Sequence, residues 1–395
     1  MKKVIYSVAT RLGGSGIGTT AHQAVGGIFA AGLLKRVYCS SKAETEIPNH
    51  LVFSTNSSFF EGLRFLPSSY RWLFKDITHD LITSVNLPRV VRESTSTSSL
   101  CSDEVDGAPN LLDIFHVWNG HGLFSLRQAK KLGARIVVER ASSHPQTYER
   151  VMNQEYRIRG SRFNQMIGFN KKRLLQEFVE ADFITVSSDF SYDSMVENGI
   201  PKKNLIKIPF GVDLTKFQPR TKNTGHRTFN VLFVGQVGFR KGVLYLLEAW
   251  KKLGLKDAKL RILGQEDPEI KSFLAIYRND PSVEFLGYGN SLELYQQSDL
   301  FVFPSLEEGS ALVVYEALAC GLPVITTFES GSVVENEVEG YIAASAKVDE
   351  LAERIQYLYD NSNLRARMAQ KARQKAERYS WENYGKNLVG FYQQI

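Results

Sequence analysis

Apolar residues along this chain fall in short, near-continuous runs separated by turn signals and amphipathic stretches. Runs at 4–9, 36–39, 111–118, 135–139, 183–186 and 205–208 predict buried strands of a first series. Residues 19–34 and 122–132 read as helices between them, the former rich in small side chains. Residues 42–110 carry no clear period, and 94–99 is a polar stretch of serine and threonine. A second series restarts at 229–234 and continues at 259–263, 283–286, 300–303 and 323–326, with an amphipathic helix over 242–253. Pro209-Phe210-Gly211-Val212-Asp213 and the polar residues up to Arg227 read as a linker. Two such alternations predict an α/β chain of two Rossmann-like, doubly wound domains facing a cleft. The expected boundaries are 1–208, 209–378 and a closing helix over 379–395 that packs back on the first domain.

With 395 residues there is material for two cores. A mean hydropathy of −0.21 and 23% charged residues fit a globular chain and exclude an acidic disordered one. The net charge is +6, and this whole excess lies within residues 1–205. No basic motif accompanies it, which argues against nucleic acid and leaves an anionic ligand or an anionic membrane surface as its use. Cys39, Cys101 and Cys320 form no CxxC, so neither a disulfide framework nor a thiolate zinc site is expected. Lys2 and Lys3 precede an apolar run too short for a signal peptide, and no run reaches membrane-spanning length. The expected location is the cytoplasm, with a peripheral position at the inner face of the membrane as the alternative.

The chemistry concentrates in residues 304–323. The predicted strand ends at Pro304, Ser310 reads as an N-cap, 311–320 as a helix, and Gly321 as its C′ residue. Glu308 then lies in a loop at the sheet's C-terminal edge, and Glu316 nearly two turns into the helix, with free N–H groups between them. A helix N-terminus takes a pyrophosphate, and carboxylates accept hydrogen bonds from sugar and ribose hydroxyls. The plainer alternative is an acid favoured by the helix dipole plus a solvated one. At Gly235-Gln236-Val237-Gly238-Phe239-Arg240-Lys241-Gly242, two cations stand where a helix N-terminus disfavours them, and a bound polyanion would relieve that. Two solvated loop side chains are the plainer reading.

Gly16-Ile17-Gly18-Thr19-Thr20-Ala21 follows the first strand and fits G-x-G-x-x-A, which makes an NAD-dependent oxidoreductase a competitor. That pattern expects an acid at the end of the second strand, where Cys39-Ser40-Ser41 stand instead. A tight turn needing glycine freedom explains the loop equally well. His116, His121 and His144 lie at or beyond strand ends, and their spacing suggests no metal cluster. Residues 59–66 and 70–75 interleave aromatic with basic side chains. They read either as a core helix with snorkelling cations or as an interfacial patch for a membrane or lipid-linked acceptor.

Together, Glu308-x7-Glu316 in its Pro304-Ser305…Glu308-Gly309…Glu316-Ala317…Gly321-Leu322-Pro323 context, and Gly235-Gln236…Lys241-Gly242, resemble the family 4 glycosyltransferases of the GT-B fold. The likeness runs from about residue 180 to the C-terminus and includes Ser187-Ser188-Asp189-Phe190, Phe285-Leu286-Gly287 and Ser380-Trp381. It implies a retaining glycosyltransferase that needs no metal and no cofactor, with a nucleotide diphosphate sugar as co-substrate and a glycan, lipid-linked or anionic acceptor. In that reading Glu316 holds the ribose. Glu308 holds the donor sugar's hydroxyls, assisted by Gly309 and the backbone of Ser310, Ala311 and Leu312. Lys241 is the pyrophosphate cation, and Tyr288 contacts the nucleobase through its backbone. Gly14 and Gly16 approach the donor phosphates or the acceptor. His144 positions the donor sugar, with His121 second. Gln236 replaces the usual arginine, so Arg240 is the candidate for the second positive charge. A sugar-nucleotide epimerase or phosphorylase on the same fold, or a non-catalytic sugar-nucleotide-binding protein, are the alternatives.

Overall fold

Thirteen strands build two separate sheets in the structure, a computed structural model that describes residues 2–62, 68–92, 112–163, 168–220 and 228–395. The first sheet comprises β1 (Val4–Leu12), β2 (Leu34–Lys42), β3 (Val52–Ser54), β4 (Ile114–Trp118), β5 (Arg135–Arg140), β6 (Phe183–Val186) and β7 (Leu205–Lys207), in the order β3-β2-β1-β4-β5-β6-β7. The second comprises β8 (Phe229–Val234), β9 (Ala258–Leu263), β10 (Val283–Gly287), β11 (Leu300–Phe303), β12 (Val324–Thr327) and β13 (Gly340–Ala343), ordered β10-β9-β8-β11-β12-β13. Every ladder is parallel. Strand order therefore reverses between β1 and β4 and again between β8 and β11. At such switch points the loops leaving the C-terminal strand ends diverge and open a crevice.

Parallel strands covered on both faces must be apolar throughout, which is why β8 and β11 are buried along their whole length. The first domain carries α1 (Ile17–Ala30), α2 (Ser68–Arg92), α3 (Leu123–Lys131), α4 (Pro145–Ile158), α5 (Gly168–Glu180) and α6 (Asp189–Glu197). The second carries α7 (Val243–Leu253), α8 (Lys271–Leu274), α9 (Leu292–Gln296), α10 (Leu312–Ala319), α11 (Val348–Asp360) and α12 (Ser362–Glu377).

The last helix, α13 (Trp381–Gln394), crosses to the first domain. There its Gly385 meets Gly27 of α1 so closely that a methyl on Gly27 would lie 2.8 Å from the Gly385 Cα. Tyr384 donates to Glu139 Oε1 at 3.1 Å, and the Tyr392 hydroxyl lies 2.5 Å from His116 Nδ1. The other ring nitrogen of His116 is 3.0 Å from Glu139 Oε2, so His116 belongs to a buried hydrogen-bonded junction rather than to a strand end.

The featureless stretch 42–110 contains β3 and the 25-residue α2. Its helical period is masked because Lys75, His79, Asp80 and Thr83 occupy the buried face. The aromatic and basic segment is inverted relative to a core helix with snorkelling cations. Tyr70, Trp72 and Phe74 are 45%, 53% and 41% exposed, whereas Lys75 is buried with its ammonium 4.0 Å from the Trp72 ring centroid. The polar stretch 94–99, Cys101, residues 63–67 and the linker residues 221–227 lie outside the described residues.

Candidate functional site

The second switch point is framed by two loops, one leaving β8 and one leaving β11. Gly242 is left-handed at φ +67°, and a Cβ there would sit 1.9 Å from the Pro304 carbonyl oxygen, so only glycine lets these loops touch. The Leu306 N–H and the Ser305 hydroxyl both donate to the Arg240 carbonyl, at 2.8 and 3.2 Å. This pairing brings Arg240 and Lys241 beside Glu307 and Glu308. Arg240 NH1 lies 3.1 Å from Glu308 Oε2 and 3.3 Å from Glu307 Oε2, and the Lys241 ammonium contacts Glu308 directly. Burial, then the neighbouring Arg240 charge, pull the Lys241 pKa well below that of an ordinary lysine. Arg240 and Lys241 thus hold Glu308 in place between them.

Glu316 lies on α10 and is half-buried. Burial lifts its carboxyl to about 7, and the Tyr295 hydroxyl donates to it at 3.0 Å. The helix begins one residue later than expected, at Leu312, and Ser310 is not its cap. The Ser310 hydroxyl is engaged with that of Tyr315 at 2.9 Å, while the Ala311 N–H donates to the Ser330 carbonyl at 3.2 Å. Ala311 occupies the N-cap with no side-chain hydrogen bond, so the first N–H groups of α10 lack a side-chain cap. The four charges of the loops are brought together just before the helix, and Glu316 follows within it, bonded to Tyr295.

Gln236 donates to Asp267 Oδ1 at 2.5 Å, a carboxylate whose charge also bears on Lys241. Tyr288 follows the left-handed Gly287 and is 90% exposed. In the first domain the glycine loop binds itself. Gly14 donates to the Arg11 carbonyl at 2.9 Å, Thr19 Oγ1 donates to the Gly14 carbonyl at 2.6 Å, and Gly16 is the left-handed N-cap of α1.

His144 lies inside the first domain. It caps α4, its Nδ1 accepting from the Gln146 N–H at 3.3 Å, and its ring packs 5.7 Å from that of Phe178. Burial, with Arg140 and Lys171 adding to it, pushes its pKa down to about 4. His121 is equally enclosed, its Nδ1 accepting from the Ala9 N–H at 3.1 Å. The loop carrying His121 is pinned by Glu177, which accepts from the Gly120 and Gly122 N–H groups at 2.5 and 3.1 Å.

Sequence reasoning missed what the first domain brings to the cleft. Glu307 is fully buried and accepts from Ser142 Oγ at 2.5 Å, the Ser143 N–H at 3.0 Å and Ser143 Oγ at 2.7 Å. Burial alone would raise its pKa. Arg240 and these donors outweigh that and hold the carboxyl below its ordinary range. Gly309 presses on the same segment, since a Cβ there would lie 1.9 Å from the Ala141 oxygen, and Ser191 Oγ donates to the Gly309 carbonyl at 3.1 Å. The only hint in the sequence is the Glu307-Glu308 doublet in an otherwise apolar neighbourhood. Among the described residues no three His, Cys, Asp or Glu side chains gather as a metal site.

Residues 215–375 match the model of the family described as Glycosyl transferases group 1. An uncharacterised glycosyltransferase of Haemophilus influenzae is 31% identical over 172 residues, covering 42% of this chain and 49% of that protein. The match thus spans about half the length of that relative. Two solved structures align over the whole chain. Sucrose-phosphate synthase from Thermosynechococcus elongatus has a TM-score of 0.68 at 18% identity, covering 100% of this chain and 99% of its own. Anabaena HepE in complex with UDP and glucose has a TM-score of 0.64 at 15% identity, covering 100% of both chains.

The architecture is the GT-B fold. Two parallel sheets flanked by helices, aligned over the whole chain with both structures, make it one of two Rossmann-like domains. No helix among the described residues is long and apolar enough to cross a membrane.

Proposed function

We propose that this chain is a family 4-like, retaining glycosyltransferase that moves a sugar from a nucleotide diphosphate donor to a glycan, lipid-linked or anionic acceptor. The observation that carries the reading is the juxtaposition of Arg240, Lys241 and Glu308 at the uncapped N-terminus of α10, with Glu316 on the same helix. A diphosphate entering there exchanges places with Glu308 as the partner of the two cations. Glu308 is thereby released to accept hydrogen bonds from the donor sugar, and Glu316 accepts from the ribose diol. Gly309, Ala311 and the N–H groups of Ser310 and Leu312 line the diphosphate's path, the Ala311 N–H itself being taken by the Ser330 carbonyl, and Tyr288 lies beside the base.

As the glycosidic bond breaks, negative charge grows on the departing phosphate, where Lys241, Arg240 and the helix end stabilise it. The acceptor hydroxyl attacks the anomeric carbon from the same face and passes its proton to the departing phosphate oxygen, leaving the nucleoside diphosphate. No cofactor or metal enters this scheme. His144 supports the donor sugar indirectly, by shaping the Ser142-Ser143 turn from within the first domain, and Gly14 and Gly16 shape the opposite wall. UDP, which HepE holds, is the first donor base to try.

The exposed Tyr70, Trp72 and Phe74, with the positive first half, support peripheral contact with the inner face of an anionic membrane from a cytoplasmic position. Flotation with anionic vesicles at low salt tests this, and a protein that stays at the bottom of the gradient rejects it. The enzymatic reading is tested by a thermal-shift screen of nucleotide sugars, followed by product analysis with a labelled hit. A chain stabilised by none of them, or one that converts the donor without transferring it, overturns the assignment.

A further inference from the structure

Glu307 has no role in the scheme above, yet it is the most enclosed charge at the cleft, with 0% exposure. We propose that Glu307 is a positioning residue that makes closure of the cleft and the placement of Arg240 a single event. The inference rests on the glycosyltransferase reading for the meaning of Arg240, but not for the geometry.

Its two carboxylate oxygens face different domains. Oε1 takes all three donors of the Ser142-Ser143 turn, in the first domain. Oε2 faces Arg240 NH1, in the second, and the Glu307 carbonyl oxygen accepts from the same nitrogen at 3.1 Å. Arg240 is therefore shared between two carboxylates of different fate. Glu308 is partly open, at 17% side-chain exposure, and is the one a substrate engages, whereas no ligand reaches Glu307. When a diphosphate draws Arg240 from Glu308, Glu307 keeps the guanidinium tethered at its other side.

The tether depends on the cleft being shut. A buried carboxylate is stable only with its donors in place, and three of the donors here arrive from the opposite domain. Opening the cleft removes them, returns Glu307 to water and loosens Arg240. The charge of Glu307 bears on Lys241 and on Arg140 as well, so it also balances cations that would otherwise repel one another before a ligand arrives. Arg140 donates only to the Ser143 carbonyl and to Asn119 Oδ1, at 2.9 and 3.2 Å, and has no carboxylate partner among the described residues.

Two variants test this from opposite sides. Glu307→Gln keeps the shape but removes the charge on Arg240. The Ser142→Ala/Ser143→Ala double variant leaves Arg240 untouched and removes two of the cross-domain donors. Thermal unfolding first establishes that each is folded. X-ray scattering of the ligand-free proteins is then expected to give both a larger radius of gyration than the parent. With a donor found by the screen, kcat is expected to fall about tenfold to a hundredfold in both, since a displacement of about an ångström costs that much. UDP affinity should change less than about threefold, because that displacement bears on the transition state rather than on uniform binding. A purely structural residue would instead lower activity in proportion to the unfolded fraction, and that result overturns the proposal. An unchanged radius of gyration in both variants also overturns it. The scattering needs no substrate, so a failure to find any nucleotide sugar would sink the glycosyltransferase reading while leaving this geometric coupling to be judged separately.

Discussion

Replacing Glu316 by glutamine should stabilise the protein while weakening its donor site. Burial raises this carboxyl from an ordinary 4.5 to about 7, with the Tyr295 hydroxyl at 3.0 Å pulling in the opposite direction. In the unfolded chain the proton leaves near 4.5, whereas in the native state it is held to about 7. Between those values the native state binds more protons, so stability falls as pH rises through the window. Above it the full penalty applies, on the order of 3 kcal/mol. Glutamine is neutral at every pH, fills the same space and still accepts from Tyr295. Glu316→Gln should therefore match the parent near pH 4.5 and exceed it by about 2–3 kcal/mol at pH 8.

For a domain of this size that difference raises the melting temperature by roughly 5–10 °C. The assay is thermal unfolding at pH 4.5 and pH 8 followed by tryptophan fluorescence, since Trp250 is buried in the same domain. Binding should move the other way. A neutral amide accepts the ribose hydroxyls less strongly than a carboxylate, so UDP affinity measured by calorimetry should fall about tenfold. A variant less stable than the parent at pH 8, or one with the same stability difference at both pH values, would refute the reasoning about burial. Unchanged UDP binding would refute the role of Glu316.

Other perturbations separate chemistry from scaffold. Gly309→Ala places a methyl 1.9 Å from the Ala141 oxygen, so the domains must part by more than an ångström; kcat should drop about a hundredfold with little change in melting temperature, and parental turnover would contradict this. Lys241→Ala removes a cation from the departing phosphate and should lower kcat by about 10² to 10³, measured with saturating donor; a loss under about fivefold would exclude Lys241 from that role. Asp80→Ala strips Arg173 of its 2.6 Å partner and the Phe124 and Ser125 N–H groups of their acceptor at the start of α3. It should cost about 3–5 kcal/mol by denaturant titration, whereas a cost below about 1 kcal/mol would show that the buried ion pair is dispensable.

How much could be read in advance follows the physics of each element. β6, β8 and β11 begin and end at the residues expected of them, because a strand buried on both faces must be an unbroken apolar run. Of α2 only residues 70–75 were read as helical, and as one of two alternatives, because its inward face carries Lys75, His79 and Asp80 in place of an apolar stripe. The cap of α10 was misread for a related reason: serine favours that position locally, but Tyr315 and Ser330 compete for the groups involved. The positions of Glu308, Glu316, Arg240 and Lys241 relative to the elements could be read in advance, since each sits within a few residues of a strand end or helix start.

The sequence by itself determined two doubly wound domains and the acids and bases that follow β8 and β11, because apolar periodicity and turn chemistry are local properties. It also confined the positive excess to the first half. Only the tertiary structure decided what that half contributes at the cleft. Ser142 and Ser143 meet Glu307 across 165 and 164 residues of chain, and His144 is buried and caps α4. The value of a buried carboxylate depends on which donors surround it, and here those donors come from the other domain.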